Sequence, residues 1–289
     1  MSDGRVAVRK TYKLYIGGAF PRSESGRSYP VASADGGFLA NAALGSRKDL
    51  RDAVVAARKA QPGWSGATAY NRGQVLYRVA EMLDGRRSQF VEEVSSSEGT
   101  SREQAAATVN AAVDRWVWYA GWSDKVAQIA GSCNPVSGPF FNFSLPEPTG
   151  VVGVVAPQVS SLLGLVSVLA PVLATGNTTV LLASEARPLP AITLAEVLAT
   201  SDVPGGVVNL ITGRIAELAP VLAAHRDVDA LDLAGASGDL AVELERAAAT
   251  NVKRVLRAEA PEHDWSAPPT PRRMLAFLET KTVWHPVGV

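Results

Sequence analysis

EPTGVVGVVAPQ (Glu147–Gln158), TGNTTVLLASEARP (Thr175–Pro188) and VPGGVVNLITG (Val203–Gly213) punctuate one stretch, Glu147 to Gly213, around which the chain is organised. Val151–Ala156 is an almost unbroken β-branched run, the pattern of a strand buried on both faces. Pro157 ends it. Leu162–Ala174 is apolar and bounded by Gly176-Asn177, which suits a helix lying on a sheet. Thr178–Leu182 reads as a second buried strand, Leu189–Leu198 as a helix and Val207–Thr212 as a third strand. Strands alternating with helices imply a parallel sheet with right-handed crossovers. Ligands of such sheets bind at the carboxyl ends of the strands. Pro157–Ser161, Ala183–Arg187 and Gly213 are therefore expected on one rim.

Working outward towards the N-terminus, YIGGAF (Tyr15–Phe20) predicts a hairpin turning at Gly17-Gly18, followed by loops and short strands up to Leu44. Ser46 with Asp49 three residues on is an approximate capping box. Leu50, Val54 and Ala57 continue the helix, and Pro62-Gly63 is expected to stop it. A second helix is expected from an Asn71 cap, with Val75, Leu76, Val79 and Leu83 on one face. A third is expected from Ser101 to about Val126, its late turns carrying Trp116, Trp118, Tyr119 and Trp122 as core packing. Gly131–Pro148 holds four prolines and three phenylalanines, and reads as an extended arm.

Beyond the central stretch, Ile215–His225 and Asp239–Thr250 read as helices, Val228–Leu233 and Val252–Leu256 as strands four and five. Ala258–Pro271, with four prolines and no periodicity, reads as a linker. Phe277–Trp284 (FLETKTVW) alternates like a strand with no neighbour in sequence. It needs an edge, from the proline-rich arm or from another subunit. The expected organisation is a hairpin and helical part over 1–130, an arm over 131–148, an α/β core over 149–257, a linker over 258–271 and a C-terminal strand over 272–289.

The 289 residues carry 28 basic and 28 acidic side chains, for a formal net charge of zero. That removes the electrostatic argument for nucleic acid or an anionic membrane surface, and Arg272-Arg273 alone does not restore it. One cysteine excludes an intrachain disulfide framework. The N-terminus lacks the apolar core of a signal peptide, and the most apolar window, Leu162–Leu182, is broken by Pro171 and Gly176-Asn177. A cytoplasmic location is expected. His225, His263 and His285 stand in no ligand-like spacing, and no metal site is expected.

Seven ordered segments resemble the NAD(P)-dependent aldehyde dehydrogenase superfamily. LYIGGAF (Leu14–Phe20) is similar to its opening hairpin and YAGWSDK (Tyr119–Lys125) to the end of its third helix. EPTGVVGVVAP, TGNTTVLLASE, VPGGVVNLITG and VDALDLAGAS (Val228–Ser237) resemble its coenzyme domain, and KTVW (Lys281–Trp284) its oligomerisation strand. The resemblance implies a Rossmann-like sheet of about five strands, an N-terminal helical region and a β oligomerisation arm. The family's activity is NAD(P)-dependent oxidation of aldehydes by a cysteine nucleophile, with an oxyanion-stabilising Asn and a general-base Glu.

Carried over residue by residue, the resemblance implies losses. The catalytic domain that would hold the nucleophile is missing between Leu256 and the C-terminal strand, and Cys133 sits in the arm. Glu259 stands near the general-base position without that motif's glycines. Gln158 and Val159 replace the Trp and Asn after Pro157. The adenosine-binding Lys-Pro-Ser-Glu reads Leu182-Ala183-Ser184-Glu185, and Phe-Thr-Gly-Ser reads Leu233-Ala234-Gly235-Ala236, with Leu240 at a later glycine. Pro157, Ser184, Glu185, Gly213 and Gly235 remain as a vestigial cofactor site. A polar contact to a charged group contributes roughly 1.5–3 kcal/mol. Losing two or three would weaken nucleotide binding by about two orders of magnitude or more. No bound cofactor is therefore expected, NAD at most weakly.

The chain most resembles the degenerate, cysteine-less second half of two-part aldehyde dehydrogenases. That implies a pseudoenzyme, non-catalytic alone, serving as a structural or regulatory subunit. Its partner would be a catalytic aldehyde dehydrogenase subunit, or a second copy, met through Phe277–Trp284. An NAD(P)-binding protein with residual oxidoreductase activity is the alternative.

Overall fold

The computed structural model describes residues 10–258 and 263–288. Short strands β1 (Thr11–Tyr12), β2 (Ser28–Ala32) and β3 (Phe38–Ala43) form a small sheet in the order β1-β3-β2. Between β1 and β2 the chain turns at Gly17-Gly18, where Ile16 and Ala19 exchange backbone bonds of 3.0 Å. Both glycines have positive φ, 62° and 85°, as a tight hairpin of this kind demands. A Cβ on Gly18 would meet the Gly205 Cα at 2.8 Å, so the turn lies directly on the loop ahead of the third core strand.

Helices α1 (Arg47–Gly66), α2 (Ala69–Gly85), α3 (Arg87–Glu98), α4 (Arg102–Trp122) and α5 (Val126–Ala130) follow. The expected capping box is present: Ser46 Oγ accepts from Asp49 N at 3.2 Å, and Asp49 Oδ2 from Ser46 N at 2.8 Å. Three expectations in this region are corrected, and one element is added. The first helix runs through Pro62-Gly63 to Gly66, because buried Trp64 anchors the last turn by donating Nε1–H to the Leu173 carbonyl at 3.1 Å. Thr68, not Asn71, caps the second; its hydroxyl accepts from Asn71 N at 3.2 Å. The third expected helix ends at Trp122, and Val126 opens a separate short one. Helix α3 is an addition to the expected elements, because SQFVEEVSSSE offers only a narrow apolar stripe of Phe90, Val91 and Val94.

Strands β4 (Ser132–Asn134) and β5 (Phe140–Pro148) form the arm. The core alternates strictly: β6 (Val151–Val155), α6 (Leu163–Ala174), β7 (Thr178–Leu182), α7 (Leu189–Ala199), β8 (Val208–Ile211), α8 (Ile215–Ala224), β9 (Ala230–Leu233), α9 (Gly238–Ala248) and β10 (Arg254–Arg257). Its strands form a parallel five-stranded sheet, order β10-β9-β6-β7-β8. One face packs on α6 and α7, with α2 and α4 stacked on α6, and the other packs on α1 and α8. Trp116 and Tyr119 are buried in the first of these layers, with Trp118 and Trp122 against it. Tyr15 exchanges backbone bonds with Leu210 at 3.0 and 2.7 Å, which ties the N-terminal hairpin to β8.

The chain returns through residues 263–271 into α10 (Arg272–Ala276) and β11 (Leu278–Pro286). The expected C-terminal strand therefore starts at Leu278, after a helical turn whose Met274, with Phe277 just beyond it, is fully buried in the core. The edge that β11 needs comes from the arm. It pairs antiparallel with β5 in continuous register from Leu278↔Pro148 to Pro286↔Phe140, giving a sheet of order β11-β5-β4. Among the described residues no helix is long and apolar enough to cross a membrane.

Candidate functional site

The strand ends meet on one rim, as the alternation requires. Pro157 follows β6, Ser184 and Glu185 follow β7, Gly213 follows β8 and Gly235 follows β9. The side chains of Ser184 and Glu185 are bonded to neighbouring groups of the rim. Ser184 Oγ donates to the Gln158 carbonyl at 2.8 Å and accepts from Arg187 N at 3.2 Å. The Gln158 side chain ties β6 to β7: Nε2 donates to the Ala156 carbonyl at 2.6 Å, and Oε1 accepts from Glu185 N at 2.9 Å.

Glu185 is held by the next crossover. Its Oε1 accepts from Arg214 Nη1 at 2.6 Å and its Oε2 from Ile215 N at 3.0 Å, so the carboxylate caps the start of α8. The Arg214 guanidinium is fixed over the Tyr29 ring, 5.5 Å from its centroid, and Tyr29 Oη donates to the Glu185 carbonyl at 3.1 Å. Burial, then the nearby Glu185 charge, pushes the Tyr29 phenol well above its ordinary value. The hydrogen bond to Glu185 raises the already high pKa of Arg214.

Both rim glycines are demanded by packing. A Cβ on Gly235 would lie 1.8 Å from the Ala156 carbonyl oxygen. Gly213 has φ 149°, and its Cβ would meet Leu218 Cδ1 at 3.1 Å and Gly45 N at 3.2 Å. Ala236 is buried in the second core layer with Leu240 against it, so a position singled out for a lost polar contact and one singled out for a lost glycine both serve the core. A ribose hydroxyl offered to this rim would share the Glu185 carboxylate with Arg214 and the Ile215 N–H, and Leu182 stands where the resemblance places a lysine beside it. Ser237, which precedes α9, makes no side-chain cap bond, so the first backbone N–H groups of α9 keep their donor capacity.

The other carried-over positions lie apart or lack the chemistry. Val159 is 66% exposed and has no polar side-chain atom. Cys133 is exposed on β4, opposite Phe143 in the arm sheet, away from the rim. Glu259 lies outside the described residues. Between β10 and β11, residues 258–277 hold the linker and α10, and the described ones among them form no second α/β domain. Among the described residues no group of three His, Cys, Asp or Glu side chains could hold a metal ion.

Sequence reasoning missed a buried ion pair beside the rim. Asp232, fully buried on β9, accepts from Ala234 N at 3.0 Å and is paired with Arg273 of α10. Arg273 lies 5.2 Å from the Trp265 ring centroid. Arg115 secures the same segment, donating to Ser167 Oγ at 2.9 Å and to the Trp265 and Ala267 carbonyls at 3.0 and 2.9 Å. The signal was an Asp inside the apolar run LDL, which calls for a buried counter-charge.

Residues 21–259 match the aldehyde dehydrogenase family. Human aldehyde dehydrogenase 1A1 is 32% identical over 248 residues, covering 84% of this chain and 49% of that protein. The mitochondrial benzaldehyde dehydrogenase of Antirrhinum majus is 32% identical, covering 84% and 46%. A Bacillus cereus aldehyde dehydrogenase solved as its NAD+ complex superimposes with a TM-score of 0.80 at 26% identity, covering 85% of this chain and 50% of that one. HpcC from Thermus thermophilus gives 0.81 at 30% identity, covering 85% and 47%. The chain spans about half the length of the curated relatives it matches. With the parallel five-stranded sheet and the strand-end rim in place, the chain belongs to the aldehyde dehydrogenase family.

Proposed function

We propose that this chain is a non-catalytic member of the family, a structural or regulatory subunit for a catalytic aldehyde dehydrogenase. The observation that carries this reading is Glu185. The carboxylate that resembles the family's ribose-binding group is bonded by Arg214 and the α8 backbone. Val159, without a donor, at the oxyanion position, Cys133 in the arm and a short link from β10 to β11 support it. The likeness to the cysteine-less half of two-part aldehyde dehydrogenases and a cytoplasmic location belong to the same reading. The contact surface would be β11, the outer strand of the arm sheet.

Native mass spectrometry of the chain, purified gently from its own cells, tests this. The expected species is a complex with a larger aldehyde dehydrogenase subunit, any NAD being confined to that subunit. A homo-oligomer carrying its own nucleotide would overturn it. One observation favours a second reading, residual NAD(P) binding: the uncapped start of α9 can accept a phosphate through backbone N–H groups alone. Quenching of tryptophan fluorescence by micromolar NAD would select that reading.

A further inference from the structure

On the outer side of the rim, between β2 and the β7–α7 turn, lies a cavity of about 670 Å³. Tyr29, Ser33, Ser97, Gln158, Arg187 and Arg214 contribute to its walls. Small-molecule pockets commonly measure about 300–1,000 Å³.

The charges in this wall are not balanced. Glu185 already holds Arg214. Arg187 is half-buried, donates Nη1–H to the Val159 carbonyl, and has no carboxylate partner among the described residues. Its remaining guanidinium N–H groups keep their donor capacity, in the planar fork that suits carboxylate or phosphate oxygens. One further feature points the same way. Helix α7 begins two residues after Arg187 without a side-chain cap, so its positive end faces this turn.

We propose that this cavity binds a small organic oxyanion, a carboxylate or a phosphate monoester, with Arg187 as its principal ligand and Arg214 as a second positive charge at the mouth. Glu185 stays in the α8 cap and keeps Arg214 oriented over Tyr29. The site is separate from the start of α9, and it does not depend on whether a catalytic partner exists.

Calorimetric titration of the full chain with inorganic phosphate, and separately with acetate, at constant ionic strength and without NAD, tests the proposal. Saturable binding of either probe is expected; preference for phosphate assigns a phosphate ester and preference for acetate a carboxylate. Arg187→Gln should weaken binding by about tenfold or more, since one charge-assisted bond contributes roughly 1.5–3 kcal/mol. Arg187→Lys, which keeps the charge and loses the fork, should fall between. A measurement on the unaltered chain guards against a misfolded variant: the bound probe should protect Arg187 from phenylglyoxal, read by peptide mass mapping. Absence of saturable binding, equal affinity in Arg187→Gln, or unprotected Arg187 would overturn the proposal.

Discussion

Glu93, on α3, has one oxygen that accepts from Thr193 Oγ1 at 2.8 Å, Tyr12 Oη at 3.1 Å and Gln89 Nε2 at 3.2 Å, while the other is buried without a hydrogen-bond partner among the described residues. Burial raises its pKa above the ordinary carboxylate value. The folded chain thus keeps this proton to higher pH than the unfolded chain, whose Glu titrates near about 4.3. Stability from this group is full below that value and is lost as pH rises through the folded pKa. Glu93→Gln should therefore lose less stability than the parent as pH rises above the ordinary carboxylate value of about 4.3, read from urea midpoints. An identical pH dependence in the two proteins would refute this role. The Asp232–Arg273 pair makes a second prediction. Removing one partner, as in Arg273→Met, leaves a buried charge and should cost about 3–5 kcal/mol, whereas Asp232→Leu with Arg273→Met should recover most of that loss.

The elements divide by how locally their causes are written. Strands β6 and β7 are short apolar runs, the first closed by Pro157 and the second opened by Gly176-Asn177, and Val151–Val155 and Thr178–Leu182 form where the pattern puts them. Ser46 and Ser101 each carry a complete capping box, a signal contained within four residues. Helix α3 was illegible because its stability comes from Phe90, Val91 and Val94 meeting α4 and α7, contacts that a Ser- and Glu-rich sequence does not announce. The last turn of α1 follows the same rule. Its proline argues for a stop, and a distant carbonyl on α6 overrides it through Trp64. Trp64→Ala should cost about 3–5 kcal/mol and selectively raise amide exchange in 63–66. Exchange that rises uniformly along α1 would remove Trp64 as the anchor of that turn.

For the whole molecule, the alternation of strands and helices located the rim, because strand ends of a parallel sheet must converge. It did not show what the rim residues do there. Gln158 accepts from the Glu185 backbone N–H and Arg214 holds the Glu185 carboxylate, and that depends on side chains from two crossovers meeting in space. The arm raises the remaining question at this scale. Its inner edge problem is solved by β5, yet β11 is the outer strand of its sheet, and Phe140, Phe141, Leu145 and Trp284 lie exposed along the arm. Trp284, 57% exposed and packed edge-on against Phe140, has the character of an interface anchor. If the arm is the contact surface, the isolated chain should self-associate at micromolar concentration, seen by analytical ultracentrifugation. Trp284→Glu should weaken that association by about thirtyfold or more, the loss of roughly 2 kcal/mol expected at such an anchor. The variant should keep the monomer's near-ultraviolet spectrum, apart from the contribution of the lost indole, because Trp284 lies outside both core layers. A parent chain that sediments as a stable monomer at tens of micromolar would show that the open strand is protected by its own charges, Glu279 and Lys281 among them, and would remove β11 as the contact surface.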